Sequence, residues 1–153
     1  MPESELEKAT SITPYLYYED VASALAWLSR VFGFREREKE TMRDADEKVV
    51  HAAMELGEGV ILMGWPGVDY KSPKRLGHVT GNLYVYVDDL KRHFDHAKQA
   101  GATIRSEVEE TFYGDRRYGA ADLEGHHWYF AEKIRQIEPE DWRPSDEDLK
   151  GHS

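Results

Sequence analysis

The chain has 153 residues, with 30 acidic and 20 basic side chains and a formal net charge of -10. This length fits one domain, and the negative charge argues against nucleic acid or an anionic membrane surface as a partner. The chain has no cysteine, which excludes disulfides and thiolate metal ligands. It also has no run of about 18 apolar residues and no secretory signal pattern, so a cytoplasmic location is expected.

One pattern, a strand followed by a helix, occurs twice in the chain. The first copy begins with ITPYLYYED at residue 12 and the second with TGNLYVYVDD at residue 80. A shift of 69 positions aligns Leu16 with Val85 and Asp20 with Asp89. Duplicated units of this size usually bury their apolar faces against each other, so the two copies are expected to share one core.

Each copy is predicted to form a module of one strand, one helix and three further strands. The first helix is predicted to start at Asp20 and to end near Gly33, because an N-cap residue precedes an apolar stripe and a glycine follows it. The second helix repeats this design between Asp88 or Asp89 and Gly101. The remaining strands are predicted over 34–43, 48–56, 59–65, 103–111, 116–122 and 126–132. The pattern predicts an α+β fold of two paired β-α-β-β-β modules.

The two modules are predicted to occupy 12–65 and 79–133 within a single domain. A linker that contains proline and glycine, 66–78, joins them, an N-terminal arm covers 1–11 and an acidic tail covers 134–153. The segment 34–43 is almost entirely charged, which favours a solvated strand whose charges discourage pairing with other edges. The tail is predicted to be extended or partly disordered, with Trp142 as an isolated anchor.

Tyrosines alternate with aliphatic side chains in the first strand of each module. Because successive side chains of a strand point to opposite faces, Leu16, Leu83 and Val85 are predicted to pack under the helices while the tyrosines face away from them. The last strand of each module is predicted to add residues to the tyrosine face. Together with Arg117, which could point inward, the candidate ligand-binding residues are Tyr15, Tyr17, Met63, Trp65, Asn82, Tyr84, Tyr86, Arg117, His127 and Tyr129. Segregation of hydroxyl-bearing rings from aliphatic side chains favours a wet or ligand-filled cleft, and the alternative is that the rings fill a closed core.

Three other groups of polar residues have ordinary structural explanations. His93 and His96 could share an ion on the second helix, but their spacing is also typical of the polar flank of a surface helix. His51 is expected to have a hydrogen-bonded structural role, with a position in the cleft as the alternative. The cluster from Asp115 to Arg117 is expected to form local salt bridges, although an inward Arg117 would suit a carboxylate or phosphate ligand.

The duplicated β-α-β-β-β unit, the helix start DVASALAW and the closing segment YGDRRYGAADLEGHHWYFAE resemble the vicinal oxygen chelate superfamily. That superfamily includes glyoxalase I, extradiol dioxygenases, and fosfomycin- and bleomycin-resistance proteins. The similarity covers 12–133, and the Y-G-D-R-R-x-G and G-H-x-W motifs are fairly specific to the bleomycin-resistance-like branch. The resemblance implies a curved mixed sheet that encloses a cleft with the helices outside, and commonly a homodimer.

Metal-dependent members of that superfamily take ligands from the first and last strands of each module. The matching positions in this chain carry Thr13, Met63, Asn82 and Tyr129, and none of these is an imidazole or a carboxylate. The resemblance therefore implies a metal-independent protein that binds a small molecule without a cofactor, like the drug-sequestering bleomycin-resistance proteins. No catalytic residue is assigned. The alternatives are a metal-dependent glyoxalase-type lyase, isomerase or dioxygenase, and a dimeric interaction module with a filled core.

The expected class of ligand follows from the charge of the chain and from the tyrosine rings. The negative π faces of aromatic rings attract cations, and the net charge of -10 raises the local concentration of cations. A flat aromatic cation is therefore the expected ligand. An inward Arg117 would invert this preference toward carboxylates or phosphates.

Overall fold

The computed structural model describes Leu6 and residues 8–150. The strands within these residues are β1 (Tyr15–Tyr17), β2 (Arg35–Glu36), β3 (Met42–Arg43), β4 (Val49–Leu56), β5 (Gly59–Gly64), β6 (Asn82–Tyr86), β7 (Thr103–Glu110), β8 (Asp115–Ala121) and β9 (His127–Lys133). The α-helices are α1 (Val21–Phe32), α2 (Pro73–Leu76), α3 (Leu90–Gln99) and α4 (Asp146–Leu149). Two short 3₁₀-helices cover Glu38–Glu40 and Pro139–Asp141. No helix in this described part of the chain is long and apolar enough to cross a membrane.

The strands form two sheets, one for each module. The first sheet has the order β1-β5-β4-β2, with β3 also pairing with β4, and the second has the order β6-β9-β8-β7. β1 runs parallel to β5 and β6 runs parallel to β9, while the other paired strands are antiparallel. The first strand of each module is therefore an edge strand beside the last strand of that module. This topology confirms the predicted α+β class with its two β-α-β-β-β modules.

The two long helices begin where the sequence predicts. Oδ1 of Asp20 accepts the backbone N–H of Ser23 at 3.0 Å, and Oδ1 of Asp89 accepts that of Arg92 at 3.1 Å. Each aspartate thereby satisfies one of the backbone donors that the first turn of a helix leaves unpaired. Gly33 follows α1 with φ 82°, a left-handed conformation that glycine adopts without steric cost. The predicted N-cap and end of α1 are confirmed, and of the two candidates for the cap of α3, Asp88 and Asp89, the structure has Asp89; α3 ends at Gln99, just before the predicted Gly101.

The apolar faces of both modules meet in one core. Phe32 of α1 packs against Trp128 and Phe130 of β9, with ring centroids 5.6 and 4.7 Å apart. Leu16 and Val85 pack against the same cluster, on the helix side of their sheets as predicted. The aromatic contacts add to the apolar area that is buried between the modules. The shared core is the one expected from the duplication.

The last strand of the first module faces the opposite way from the prediction. Met63 is 0% exposed and lies in the core, and Trp65 packs against the core with Nζ of Lys48 4.5 Å from its ring centroid. The predictions that Met63 and Trp65 belong to the tyrosine face are therefore wrong. Every residue from Val60 to Met63 is aliphatic, so no alternation in the sequence shows which face is buried. The register decides it, because Leu16 of β1 lies beside Met63 and both pack inward.

The charged segment 34–43 does not form the single strand that was predicted. It contains β2 and β3, separated by a 3₁₀-helix over Glu38–Glu40. Glu55 of β4 pairs with both Arg35 and Arg37, so the charges are used across the strands. The middle of the segment has no apolar side chain to pack against the sheet, and this explains why the strand is interrupted.

The C-terminal segment folds back onto the turn before β8. The backbone N–H of Arg135 donates to the carbonyl oxygen of Gly114 at 3.0 Å. Gly114 has φ 99°, and a Cβ at this position would collide with the carbonyl oxygen of Arg135. Trp142 then packs against Phe112 and Tyr113, with ring centroids 5.7 and 6.0 Å apart. Trp142 is thus an anchor as expected, and the segment also contains a 3₁₀-helix and α4, where an extended or partly disordered tail was predicted.

A buried carboxylate joins the two modules. Asp122 follows β8, and its Oδ2 accepts from the hydroxyl of Tyr18 at 2.7 Å and from the indole N–H of Trp128 at 3.1 Å. Its Oδ1 accepts from the backbone N–H groups of Glu124 and His126, each at 3.0 Å. A carboxylate removed from water needs such donors, because desolvation disfavours its charge. These bonds shape the turn before β9 and tie it to Tyr18 of the first module.

Glu124, in the same turn, hydrogen-bonds the backbone just before the first helix of the other module. Its carboxylate accepts the backbone N–H groups of Glu19 and Asp20 at 2.7 and 2.9 Å. A negative charge at the start of a helix also interacts favourably with the helix dipole. The carboxylate of Glu19 in turn accepts from Ser72 and Arg75 in the linker, and hydrogen bonds from Ser72, followed by Arg75, lower the pKa of Glu19 to about 2. The turn, the linker and the start of α1 therefore form one connected junction.

The substitution Asp122→Asn is expected to lower the free energy of unfolding by about 3 kcal/mol, because an amide nitrogen cannot accept the bonds that one carboxylate oxygen accepts. Urea unfolding followed by circular dichroism measures this loss. The matched control Asp95→Asn removes an exposed carboxylate on α3, whose ion pair with Lys91 is expected to contribute less than about 1 kcal/mol. Equal unfolding free energies for the two variants would contradict the role given to Asp122.

His93 of α3 holds the end of α1. Its Nδ1 lies 2.6 Å from the hydroxyl of Tyr118 and its Nε2 lies 2.9 Å from the carbonyl oxygen of Phe32. Because a carbonyl oxygen only accepts, Nε2 carries the proton and the neutral ring accepts from Tyr118. Burial lowers the pKa of His93. His96 likewise donates from Nε2 to the carbonyl oxygen of Arg30 at 2.8 Å, so both imidazoles satisfy the last carbonyls of a helix, as a structural role requires.

Lowering the pH from about 7.5 to about 5.5 is expected to destabilise the protein in part through His93. The pKa of this imidazole is lower in the folded chain than its usual 6.5, so the unfolded chain takes up the proton first and stability falls as the pH drops. The variant His93→Gln should lose less stability over this range, measured by urea unfolding at both pH values. His127, whose pKa is also lowered by burial, keeps part of the pH dependence in the variant. An identical pH dependence in both proteins would refute the prediction.

Candidate ligand-binding site

A groove of about 1310 Å³ runs between β1 and β6, the edge strands of the two sheets. The predicted ligand-binding residues that line it are Tyr15, Tyr17, Asn82, Tyr84, Tyr86 and His127. The rings remain open to solvent, with Tyr17 50% and Tyr86 54% exposed. The tyrosines therefore do not fill a closed core in this chain, which was the alternative to a cleft.

On the first module, Tyr15 is held in place by His51 and Gly64. Its hydroxyl lies 3.0 Å from Nδ1 of His51, and its ring crosses Gly64, where an added Cβ would stand 2.8 Å from the ring. Only glycine permits this close approach. Tyr17 packs edge-on against Tyr15 and Tyr70, each with ring centroids 5.9 Å apart, and the hydroxyl of Tyr70 donates to the carbonyl oxygen of Tyr17 at 3.0 Å. His51 thus has the hydrogen-bonded role expected for it, and it supports the tyrosine face.

On the second module, a buried carboxylate holds the tyrosines. Asp115, at the start of β8, is 0% exposed, and its Oδ2 accepts from the hydroxyls of Tyr84 and Tyr86 at 2.8 and 2.7 Å. Nζ of Lys133 lies 3.4 Å from the other carboxylate oxygen. Burial is the main cause that raises the pKa of both phenols, to about 12 for Tyr86, and the bonds to Asp115 add to it. Both phenols therefore keep their protons at neutral pH.

Arg117 lies on the same face and stacks on a tyrosine. Its guanidinium carbon is 4.4 Å from the ring centroid of Tyr129, Nε donates to Glu109 at 3.1 Å, and one terminal nitrogen donates to the hydroxyl of Tyr113 at 3.1 Å. Arg117 therefore lies on the tyrosine face of the sheet, with Glu109 balancing its charge. The ring of Tyr129 stands 6.0 Å from that of Tyr84, so Arg117 and Tyr129 adjoin the groove through Tyr84 rather than lining it.

Polar atoms at one end of the groove have hydrogen-bonding capacity to spare. Nδ1 of His127 is buried and has no hydrogen-bond partner among the described residues, and burial lowers the pKa of this imidazole. Asn82, its neighbour in the register of β6 and β9, is exposed. His126, which directly precedes His127, donates from its Nε2 to the carbonyl oxygen of Tyr17 at 2.9 Å. An unsatisfied imidazole nitrogen beside an exposed amide suits a polar group of a ligand.

Sequence reasoning missed Asp115 and Tyr113 as parts of this face. Grouping Asp115 with its neighbours as a cluster of local salt bridges hides the alternation along β8. Because Gly119 pairs with Tyr129, the residues Asp115, Arg117 and Gly119 share the tyrosine face. An added Cβ at Gly119 would stand 3.1 Å from the ring of Tyr129, so the glycine in this alternation was a usable signal of a ring lying above it.

In this chain, the side chains at the positions that carry metal ligands in metal-dependent members of the vicinal oxygen chelate superfamily do not suit a metal ion. The register of β1 with β5, compared with that of β6 with β9, places Leu62 rather than Met63 at the last-strand position of the first module. The full set is then Thr13, Leu62, Asn82 and Tyr129. None offers an imidazole or a carboxylate. In the part of the chain that the structure describes, no group of three or more histidine, cysteine, aspartate or glutamate side chains could hold a metal ion.

Comparisons with known proteins agree with this architecture. The sequence model of the Glyoxalase/Bleomycin resistance protein/Dioxygenase superfamily matches residues 10–130. TioX from Micromonospora sp. ML1 is 32% identical, and its crystal structure aligns with a TM-score of 0.65 over 82% of this chain and 100% of TioX. A glyoxalase-related enzyme from Clostridium phytofermentans shares the fold, with a TM-score of 0.65 over 85% of this chain and 99% of that chain at 12% identity. An uncharacterised protein of Mycobacterium bovis is 27% identical over 132 residues, which are 83% of this chain and 86% of that protein. The chain belongs to the glyoxalase/bleomycin resistance protein/dioxygenase superfamily.

Proposed function

We propose that this protein binds a flat aromatic small molecule on its tyrosine-lined surface without a metal ion, in the manner of the drug-sequestering bleomycin-resistance proteins. The groove between β1 and β6 carries the proposal. Its volume of about 1310 Å³ leaves room for a drug-sized ligand, since such pockets typically measure about 300–1,000 Å³. Aromatic rings line it, and rings supply a large contact area at a small cost in conformational entropy. A cytoplasmic location remains part of the proposal.

The polar groups around the groove support binding rather than a chemical reaction. The phenols of Tyr84 and Tyr86 are bonded to Asp115, and Arg117 is bonded to Glu109. Groups that are already satisfied keep fixed positions, which suits the orientation of a ligand. Sequestering a ligand requires a fitting surface and no nucleophile, so these fixed groups are sufficient for the proposed function.

The proposed ligand is a flat aromatic cation. The exposed ring of Tyr17 offers a π face, and the chain carries a net charge of -10. At Tyr86 the protein itself already places a cation over the ring, since Nζ of Lys133 lies 6.0 Å from the ring centroid. Arg117 faces the same side, which by itself would favour anions. Its charge is balanced by Glu109 at 3.1 Å, and this supports keeping the cation as the proposed ligand.

We further propose that the protein acts as a homodimer. Among the described residues, β1 and β6 each have one edge that pairs with no other strand, and both strands border the groove. Exposed strand edges are commonly covered by a partner, and a second copy of the chain is the partner that symmetry favours. The negative net charge supports neither nucleic acid nor an anionic membrane in this place.

Removal of metal ions should leave the thermal stability unchanged. Tag-free protein treated with a chelator is expected to melt at the same temperature as untreated protein, because a ligand that binds only the folded state raises the melting temperature when present. Micromolar zinc, nickel or manganese should not raise it either, as measured by differential scanning fluorimetry. A rise of several degrees with any of these ions would overturn metal independence and favour a glyoxalase-type enzyme.

A panel of cationic aromatic compounds should contain at least one that binds, and Tyr84→Ala should weaken its binding by about fivefold, since one cation–π contact contributes about 1 kcal/mol. Isothermal titration calorimetry measures the affinity. The matched variant Tyr84→Phe keeps the ring and should retain most of this contact. The cation hypothesis fails if only anions bind and their affinity disappears in Arg117→Ala, an outcome that would leave the binding function standing.

A further inference from the structure

The carboxylate of Asp115 lies directly beneath an open surface. It is fully buried, whereas Tyr86, whose hydroxyl bonds to it, is 54% exposed. Oδ2 accepts two phenols at 2.8 and 2.7 Å, and Nζ of Lys133 lies 3.4 Å from Oδ1. Hydrogen bonds to an ionised acceptor are stronger than those between neutral groups, so the phenol protons are firmly held. A ligand on the surface would meet the tyrosines and not Asp115 itself.

The direction of every hydroxyl proton in this group follows from the contacts. A phenol has one hydroxyl proton, and Tyr84 and Tyr86 each use it to donate a hydrogen bond to Asp115. The contact of 3.0 Å between the hydroxyls of Tyr84 and Tyr113 must then be donated by Tyr113. The oxygen of Tyr113 in turn accepts from Arg117 at 3.1 Å. The protons of all three phenols are thus used inside the protein.

Because these protons are already donated within the protein, the phenol oxygens can interact with a ligand only as hydrogen-bond acceptors. Among the described residues, the hydroxyl of Tyr86 makes its hydrogen bond to Asp115 as a donor, and its lone pairs are not used by another protein group. The raised pKa of Tyr86, about 12, means that this arrangement persists across the usual pH range. A lone pair attracts an N–H group and repels the oxygen of a carboxylate, so the surface discriminates between ligands by their hydrogen-bonding sense.

We propose that Asp115 determines the specificity of this surface: by holding the protons of Tyr84 and Tyr86, it presents their oxygens as acceptors and selects flat ligands that carry N–H donors. Asp115 acts through the two phenols and is a positioning residue. The inference rests on the proposed binding function and names the chemistry of its ligand. Two properties of the ligand then act separately: its positive charge attracts it to the rings, and its N–H group is recognised by the phenol oxygens.

Three probes of matched shape separate these properties. Protonated 4-aminoquinoline carries charge and N–H donors, N-methylquinolinium carries the charge alone, and quinoline-4-carboxylate is an anion. Calorimetric titration of the full-length protein is expected to show the aminoquinolinium binding about tenfold more tightly than N-methylquinolinium, since the net contribution of one good hydrogen bond corresponds to about one order of magnitude. The carboxylate is expected to bind most weakly.

The variant Asp115→Asn keeps the size of the side chain but adds an N–H that competes with the phenols, so a phenol proton is released toward the ligand. The tenfold preference is expected to fall below about threefold, and binding of the carboxylate to improve. Tyr86→Phe retains the ring and removes the oxygen, so it should lose the preference for the aminoquinolinium while N-methylquinolinium binds unchanged. Asp95→Asn, on the exposed face of α3, is the control that should alter neither.

If Asp115→Asn does not fold, as judged by circular dichroism, Tyr86→Phe alone provides the test. The inference is overturned if both variants keep the wild-type preference, or if the wild-type protein binds the two cations equally, and the latter result would leave the binding function intact. Failure of all three probes to bind would overturn the inference together with the proposed function.

Discussion

The arrangement of the two modules depends on the buried carboxylate of Asp122. Its bond to the hydroxyl of Tyr18 joins residues 104 positions apart in the chain, and its bonds to the backbone shape the turn before β9. Tyr18 directly follows β1, which carries Tyr15 and Tyr17. The same contact therefore fixes the distance between the tyrosines of the first module and those of the second. A groove bordered by two sheets keeps its width only if such a junction is rigid.

Local patterns were sufficient to predict the helices and the orientation of two strands. The aspartate caps and apolar stripes located α1 and α3, and the strict alternation in β1 and β6 assigned Tyr15 and Tyr84 to the open face. β5 could not be oriented in this way, because four successive aliphatic side chains suit either face and only pairing with β1 decides. Asp115 lies 31 and 29 residues from its partners Tyr84 and Tyr86, and no local pattern reports a contact over that distance.

Two buried carboxylates accept hydrogen bonds from phenol hydroxyls in this protein, and the exposure of the tyrosine ring decides what each bond contributes. Tyr18 is 0% exposed, so its bond to Asp122 contributes to the fold. Tyr86 is more than half exposed, so its bond to Asp115 sets the polarity of a surface. In both places the carboxylate loses hydration and gains charge-assisted bonds in return. The same pairing of groups contributes to stability at the junction of the modules and to the polarity of the exposed surface at the groove.

Trp142 of the C-terminal segment packs against Phe112 and Tyr113, which belong to the second duplicated half. The equivalent strand positions have also changed, since Arg117 stands beside Ala131 where the first half has His51 beside Gly64. The C-terminal segment and the charge of Arg117 therefore support the tyrosine face of the second half, where His51 supports that of the first. The same substitution made at equivalent positions of the two halves is therefore expected to disturb more contacts in the second half than in the first.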